Sequence, residues 1–187
     1  KARALEAIGQ TYTAARYQGF VQFMMWLQKP MLVREYRNYQ STRADYETLF
    51  RGVLNATKDI HDITTFKRFW QQGQLVESEV PHPFHKQILP VYASRLKWYM
   101  LTADVNPPVS TWTQGEQGQS IPVFSLARMI GSTPNREWLL YAHAPVQEQQ
   151  NVGIIIPTYR QVRVPVVKRT GSFYHIKESD GSITSIA

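Results

Sequence analysis

Apolar residues recur at spacings of three and four over much of the first 75 positions, as they do in helices that bury one face. The first such face ends before Gly19, a residue that disfavours continuation of a helix. The sequence therefore predicts a helix over residues 1–17, with an apolar face made of Leu5, Ile8, Tyr12 and Ala15.

Residues 19–27 form a short run of apolar and aromatic residues, and Pro30 follows it. An uninterrupted run of this length predicts a buried strand, although a buried helix has the same composition over so few residues. Both interpretations stay open, and the strand is the one adopted here.

Two further helices have clearer signals. Ser41 or Thr42 can cap a helix over residues 43–61, and Asp45 takes the acidic position of a capping box. A shorter helix is predicted over residues 64–72, where Gly73 ends it. The apolar face of the longer helix consists of Tyr46, Leu49, Phe50, Val53, Thr57 and Ile60.

The pattern changes after residue 75. Residues 76–95 contain three prolines and predict an extended linker. Short runs with turn signals between them then predict an antiparallel β-sandwich over residues 96–187. Thr170-Gly171 marks one turn, and Asp180-Gly181 is a two-residue hairpin signal. The predicted strands cover residues 97–102, 121–128, 137–143, 152–156, 161–167, 172–178 and 182–186.

The predicted fold class is α+β, with N-terminal helices and one buried strand over residues 1–75, a linker, and the sandwich. The 187 residues are 43% hydrophobic and 19% charged, which is typical of a packed globular protein. The absence of cysteine excludes disulfides and thiolate metal sites. No apolar run reaches the roughly 18 residues of a membrane span, so no membrane partner is expected.

The formal net charge is +7, which permits nucleic-acid binding. The excess is +4 over residues 1–93 (12 basic, 8 acidic) and +3 over residues 94–187 (9 basic, 6 acidic), so the charge is not clustered. This even spread indicates a solvated basic surface and makes nucleic acid the least favoured partner.

No motif for a hydrolase nucleophile, a phosphate-binding loop or a dinucleotide site is present. His82 and His85 form a pair at metal-ligand spacing, but the spacing supplies no third ligand, so neither metal nor cofactor is predicted. Glu35 lies between Arg34 and Arg37, and nearby positive charge keeps a carboxylate ionised. It suits an ion pair better than a general acid, with substrate contact as the alternative.

Two tryptophans are candidates for binding a flat ligand. Trp26 follows the apolar run, where its ring would face a cleft or fill the core. Trp112 lies in a polar loop and is the tryptophan most expected to be exposed. Aromatic faces of this kind stack on sugar rings as they stack on bases.

The second half of the chain resembles a recurring type of bacterial sequence. The resemblance is carried by Ile-Pro-Val-Phe-Ser-Leu-Ala at residues 121–127, Arg-Glu-Trp-Leu-Leu-Tyr-Ala-His-Ala-Pro at 136–145, and Gly-Ser-Phe-Tyr-His-Ile at 171–176. These runs look like the small β-sandwich that follows the catalytic (β/α)8 barrel in many secreted glycoside hydrolases. The resemblance implies that residues 1–17, 19–27 and 43–61 are the seventh helix, eighth strand and eighth helix of such a barrel.

The resemblance also implies a sugar site. Trp26 would form its floor, and Arg34 and Glu35 would lie at the same end of the barrel, where barrel active sites are found. In this family the two catalytic carboxylates lie on the fourth and seventh strands, which would precede Lys1. The chain alone is therefore expected not to hydrolyse a polysaccharide or oligosaccharide. Its partner would be the preceding part of the same protein, or another subunit, at a secreted or cell-surface location.

Another class of function fits the same pattern. A helical arm joined to a sandwich is also typical of a non-catalytic binding or structural module of a larger assembly. The two hypotheses differ in one expectation: the hydrolase portion needs a partner for a large apolar surface on its first 75 residues and should aggregate alone, whereas the module should fold alone and its helical segment would dock onto a different polypeptide.

Overall fold

The computed structural model of the chain describes residues 14–34, 43–78, 99–104 and 123–186. These ranges contain three helices, α1 (Ala14–Gln28), α2 (Arg43–Asp62) and α3 (Thr64–Gln72). They also contain eight strands: β1 (Gln74–Leu75), β2 (Ala103–Asp104), β3 (Phe124–Ile130), β4 (Glu137–His143), β5 (Gln149–Ile155), β6 (Gln161–Val167), β7 (Ser172–Lys177) and β8 (Ile183–Ile186). The α+β class is confirmed.

The strands form two antiparallel sheets. One has the order β1-β3-β4-β7-β8 and the other the order β2-β5-β6. In the larger sheet β4 is central, pairing Leu140 with Ala127 of β3 on one side and with Tyr174 of β7 on the other. Buried residues of both sheets form one continuous cluster, so the sheets pack in a sandwich-like arrangement.

Alternation along β4 explains why nearly all of its residues are apolar. Trp138, Leu140 and Ala142 contribute to the core between the sheets, whereas Leu139 and Tyr141 contribute to a second core. Successive side chains of a strand point to opposite faces, so β4 is covered on both sides. The second core lies between the five-stranded sheet and the helices, which form a third layer.

The strand predicted over residues 19–27 is wrong, because these residues lie within α1. Gly19 does not end the helix. Its lack of a side chain lets α1 lie close to His143 and Arg169. A Cβ atom there would lie 2.5 Å from the Arg169 carbonyl oxygen and 2.8 Å from His143 Nδ1. Tyr141 Oη donates a hydrogen bond of 2.5 Å to the Gly19 carbonyl. The eighth strand of a barrel is therefore not found at this position.

The other two helices are confirmed, with α3 matching its predicted bounds and α2 one residue longer. Of the predicted first helix, residues 1–13 lie outside the described residues and 14–17 belong to α1. None of the helices in the described ranges is long and apolar enough to span a membrane.

Two predicted strands match β4 and β6, and four others match β3, β5, β7 and β8 with shifted ends. The strand predicted over 97–102 is wrong within 99–102, since β2 begins only at Ala103. The Asp180-Gly181 turn is present but longer than two residues. Lys177 N–H donates to the Ser182 carbonyl, which leaves four residues in the loop, and Gly181 has a φ of +68°.

The helical layer and the larger sheet are joined through backbone as well as side chains. β1 directly follows α3 and pairs with β3, and Val76 N–H donates to the Ala127 carbonyl at 2.9 Å. The helical segment thus contributes an edge strand to the sandwich. The remainder of the predicted linker, from residue 79 to residue 95, lies outside the described residues.

Candidate functional site

The structure separates the site residues predicted from the sequence. Trp26 is only 2% exposed, and its ring makes edge contacts with Phe66 (5.5 Å between centroids), Trp70 (5.4 Å) and Phe173 (5.8 Å). It occupies the helix–sheet core, one of the two interpretations of its position, and presents no open face to a sugar ring. Arg34 is exposed, whereas Glu35 and Trp112 lie outside the described residues.

Arg34 lines a groove on the outer side of the helical layer. This groove, which we call the helical groove, lies between α1, residues 30–34 and α2, and has a volume of about 340 Å³. Its walls include the apolar side chains of Phe20, Met24, Leu32 and Val53. A second cavity of about 540 Å³ shares Leu32 and Val53 with it and extends toward Trp70.

Several large apolar side chains around these cavities are exposed, and Leu32 is 80% exposed. Contiguous exposed apolar surface on a soluble domain marks an interaction site more often than chance. Among the side chains that the structure describes, the exposed large apolar ones outside this region are Val146 and Ile155 in the sandwich. We call the following set the apolar strip: Phe20, Met31, Leu32, Val33, Phe50 and Leu54.

The exposure of residues 31–33 follows from how α1 ends. Lys29 has a φ of +47°, a left-handed conformation that commonly terminates helices, and its N–H donates to the Met25 carbonyl at 2.8 Å. Lys29 Nζ also donates to the Gln71 carbonyl at 3.3 Å. The chain therefore leaves the helix axis at Lys29, and Pro30 follows where the helix has ended.

Arg128 fixes the position of α1 and α3 on the sheet. Its guanidinium donates to the Trp26 carbonyl (2.7 and 2.9 Å) and to the Gly73 carbonyl (3.0 Å). These carbonyls lie at the C-terminal ends of the two helices, where positive charge is favoured. Burial lowers the pKa of Arg128. The sequence analysis did not single out Arg128. Its position among the mainly apolar residues of β3 indicates a charged side chain that needs a hydrogen-bond partner inside the protein.

Glu137 is the centre of a small charged cluster between α3 and the sheet. Arg68 Nη1 donates to its Oε1 at 3.0 Å, Arg68 Nη2 contacts its Oε2, and His175 Nε2 lies 2.5 Å from Oε2. The hydrogen bonds from Arg68 lower the pKa of Glu137 to about 2, with a further contribution from His175. Such a carboxylate stays ionised and is unsuited to general acid catalysis.

The side chains that line the two cavities are mainly apolar. No carboxylate is among the described residues that line the helical groove and its neighbouring cavity. Within the described ranges, no three metal-ligating side chains come together. The described part of the site is an exposed apolar surface that Arg34 borders.

Comparisons of the chain with protein-family models, with curated proteins and with solved structures find no match.

Proposed function

We propose that the chain is the C-terminal portion of a secreted, polysaccharide-active glycoside hydrolase, in which the sandwich supports the catalytic part. The apolar strip is the observation that carries this proposal. In the proposed arrangement, the helical layer rests on the sandwich with its inner face and contacts the catalytic part with its outer face.

The two faces of the helical layer support this division. The inner face is closed by Trp26, Phe66 and Phe69, all of which are at most 2% exposed. On the outer face, Met31 is fully exposed and Leu32 nearly so. Burying apolar surface is favourable by roughly 25 cal/mol per Å². A partner that covers the apolar strip would therefore gain affinity without any change inside the domain.

Catalysis would come from the partner. Glycoside hydrolysis requires two carboxyl groups flanking the bond, one of them protonated. Glu137 and Glu178 are each paired with an arginine, which lowers the pKa of both. Because residues 19–27 are helical, the proposal places the whole barrel in the preceding part of the protein or in another subunit.

Sedimentation velocity tests the role of the apolar strip. We expect the chain to self-associate at micromolar concentration, and we expect the triple variant Met31→Lys, Leu32→Lys, Val33→Lys to be a folded monomer. The matched control carries Val146→Lys and Ile155→Lys, two exposed apolar positions in the sandwich. It should associate as the parent chain does.

The naturally produced polypeptide tests the hydrolase assignment. We expect its intact mass to exceed 21.7 kDa and expect it to release reducing ends from a polysaccharide. The 187 residues expressed alone should release none. A natural polypeptide of 21.7 kDa that remains monomeric with its apolar strip intact would overturn the proposal.

The alternative is a non-catalytic binding or structural module, and one observation favours it. Helices α1 and α3 share a core with the five-stranded sheet, so the helical segment already has a partner within the chain. Under this alternative, a larger natural polypeptide would show no hydrolase activity, and the apolar strip would bind a non-catalytic chain.

A further inference from the structure

The helical groove and the second cavity beside it form one continuous depression, which we call the docking groove. The two cavities share five apolar lining residues: Met25, Pro30, Leu32, Val33 and Val53. Along α1 the lining runs from Tyr17 to Gln28, which is a distance of about 17 Å at the helical rise of about 1.5 Å per residue. The docking groove is therefore long enough to hold about three turns of a second helix.

The shape of the docking groove follows from the two helices that form its walls. The wall from α1 is one continuous face, because its residues recur at helical spacings: Tyr17, Phe20, Val21, Met24, Met25 and Gln28. Helix α2 supplies the opposite wall through Phe50, Val53 and Leu54. An apolar groove between two helices is a surface on which amphipathic helices dock. A concave surface of this shape fits a helix better than it fits the plane of a bilayer.

The formal charges that line the docking groove are positive in the described part of the chain. Arg34 lines only the helical groove and Lys67 lines only the second cavity, so each cavity has a basic residue of its own. Neither side chain makes an ion pair with another described residue. Their charges are therefore available to a partner that enters the groove.

The acidic residues nearest to this region are already paired along α2. Glu47 accepts from Arg51 at 2.8 Å, and Asp62 accepts from Lys58 at 2.5 Å. Neither carboxylate lines the docking groove. A basic groove favours a partner that carries carboxylates, since complementary charges select partners. Two copies of this chain, each with a net charge of +7, would instead bring like charges together.

We infer that the docking groove binds an acidic amphipathic helix of the catalytic part. The apolar face of that helix covers the apolar strip, and Asp or Glu side chains beside this face pair with Arg34 and Lys67. The inference rests on the proposed function, because it names the chemistry of the partner that the proposed function requires.

The fluorescence anisotropy of a labelled peptide, measured as the chain is titrated, tests the inference. The probe is a synthetic peptide of about 15 residues, long enough to form a helix, with Leu on one face and Glu beside that face. One control peptide has Lys in place of Glu, and another has the same acidic composition in a scrambled order without an apolar face. We expect the acidic amphipathic peptide to bind at least about tenfold more tightly than either control. Phosphatidylserine vesicles are the probe for an anionic lipid surface.

Charge-removing variants locate the binding. The double variant Arg34→Gln, Lys67→Gln should bind the acidic peptide about fivefold more weakly, and both positions are exposed, so the protein should still fold. The matched control is Arg163→Gln, Lys177→Gln, which removes the same two charges from exposed positions of the sandwich. It should bind as the parent chain does. Raising the salt concentration from about 0.05 M to 0.5 M should weaken the binding of the acidic peptide, because salt screens exposed charges.

Three results would overturn the inference. The first is that the acidic amphipathic peptide binds no more tightly than either control peptide. The second is that the variant Arg34→Gln, Lys67→Gln binds it as tightly as the parent chain does. The third is binding to phosphatidylserine vesicles without binding to the peptide. The proposed function is overturned by other measurements, the mass and association state of the natural polypeptide, so the two failures are distinguishable.

Discussion

The two faces of the five-stranded sheet are covered by cores of different chemistry. The core between the sheets is largely aliphatic, and its buried side chains are at most 1% exposed. Half of the buried residues in the core under the helices are aromatic, with edge contacts from Trp26 to Phe66 and Phe173, and this core borders three buried polar side chains. Those polar side chains are Gln22, Arg128 and His143.

The difference follows from how each layer is held. Strands within a sheet are aligned by their ladders of backbone hydrogen bonds, so an aliphatic core needs only to fill the space between sheets. Helices lying on a sheet have no such ladder. Here directional bonds from Arg128 and Tyr141 to α1 carbonyls define the helix position. The helical layer therefore depends on a few polar contacts, and substitutions there test the comparison.

The largest effect is expected for Arg128→Met. The substitution keeps most of the apolar stem but removes the hydrogen bonds to the Trp26 and Gly73 carbonyls, leaving buried acceptors unpaired. We expect the free energy of unfolding to fall by about 3 kcal/mol. Urea denaturation followed by circular dichroism measures it.

The control for that variant is Arg163→Met. Arg163 is exposed and donates to a single carbonyl, that of Asn151, so its loss should change the free energy of unfolding by less than about 0.5 kcal/mol. Equal effects of the two substitutions would show that Arg128 does not anchor the helices.

Acid should weaken the helical side through two groups on β4. The pKa of Glu137 is lowered from 4.5 to about 2 by the hydrogen bonds from Arg68, so its contribution is complete above pH 4.5 and is lost between pH 4.5 and 2. Burial lowers the pKa of His143 from 6.5 to about 4. Between pH 6.5 and 4 the unfolded chain binds a proton that the folded chain does not, so stability falls there too.

Each group should contribute on the order of 2 kcal/mol to this loss. Urea midpoints measured between pH 7 and pH 2.5 should decline through both windows. Glu137→Gln should flatten the lower window, and His143→Phe, placed among Phe23, Phe124 and Tyr141, should flatten the upper one. Glu148→Gln serves as the surface control. A full decline below pH 4.5 in Glu137→Gln would refute the assignment of that window.

The smallest effects concern two helical glycines and differ in sign. Gly19→Ala would place a Cβ 2.5 Å from the Arg169 carbonyl oxygen, and we expect destabilisation of about 1–2 kcal/mol. At Gly52 the nearest atom, Tyr17 Cδ1, is 3.6 Å away, so Gly52→Ala should stabilise α2 by about 0.5–1 kcal/mol. The melting temperatures of the two variants test this difference in sign. If both substitutions raise the melting temperature, the close approach of Gly19 to Arg169 is contradicted.

These glycines also show what the sequence could reveal. Strands β3 to β8 and the helices α2 and α3 were predictable, because their periodicity and turn residues are local signals. Gly19 was misread as a helix end, since its neighbours His143 and Arg169 are more than 120 positions away. The aromatic run after it lacks a period that distinguishes a buried strand from a buried helix.

The candidate site was less predictable for a related reason. The sequence singled out Trp26 as aromatic but gave no measure of its burial, which depends on Phe66, Trp70 and Phe173. The exposure of residues 31–33 of the apolar strip depends on the left-handed conformation of Lys29, which the residue preferences of the sequence do not predict. Arg34 lies at an exposed position and lines the helical groove, whose other walls are mainly apolar.

The edges of the two sheets limit how the protein can aggregate. In the described part of the chain, the outer strands β1 and β2 have two residues each and β8 has four. The remaining outer strand, β6, carries Pro165, which has no N–H to offer a neighbouring strand. Short edges and edge prolines oppose the addition of foreign strands and the growth of fibrils. Self-association at high concentration should therefore be governed by the six side chains of the apolar strip, and changing them would reduce it without altering the sheets.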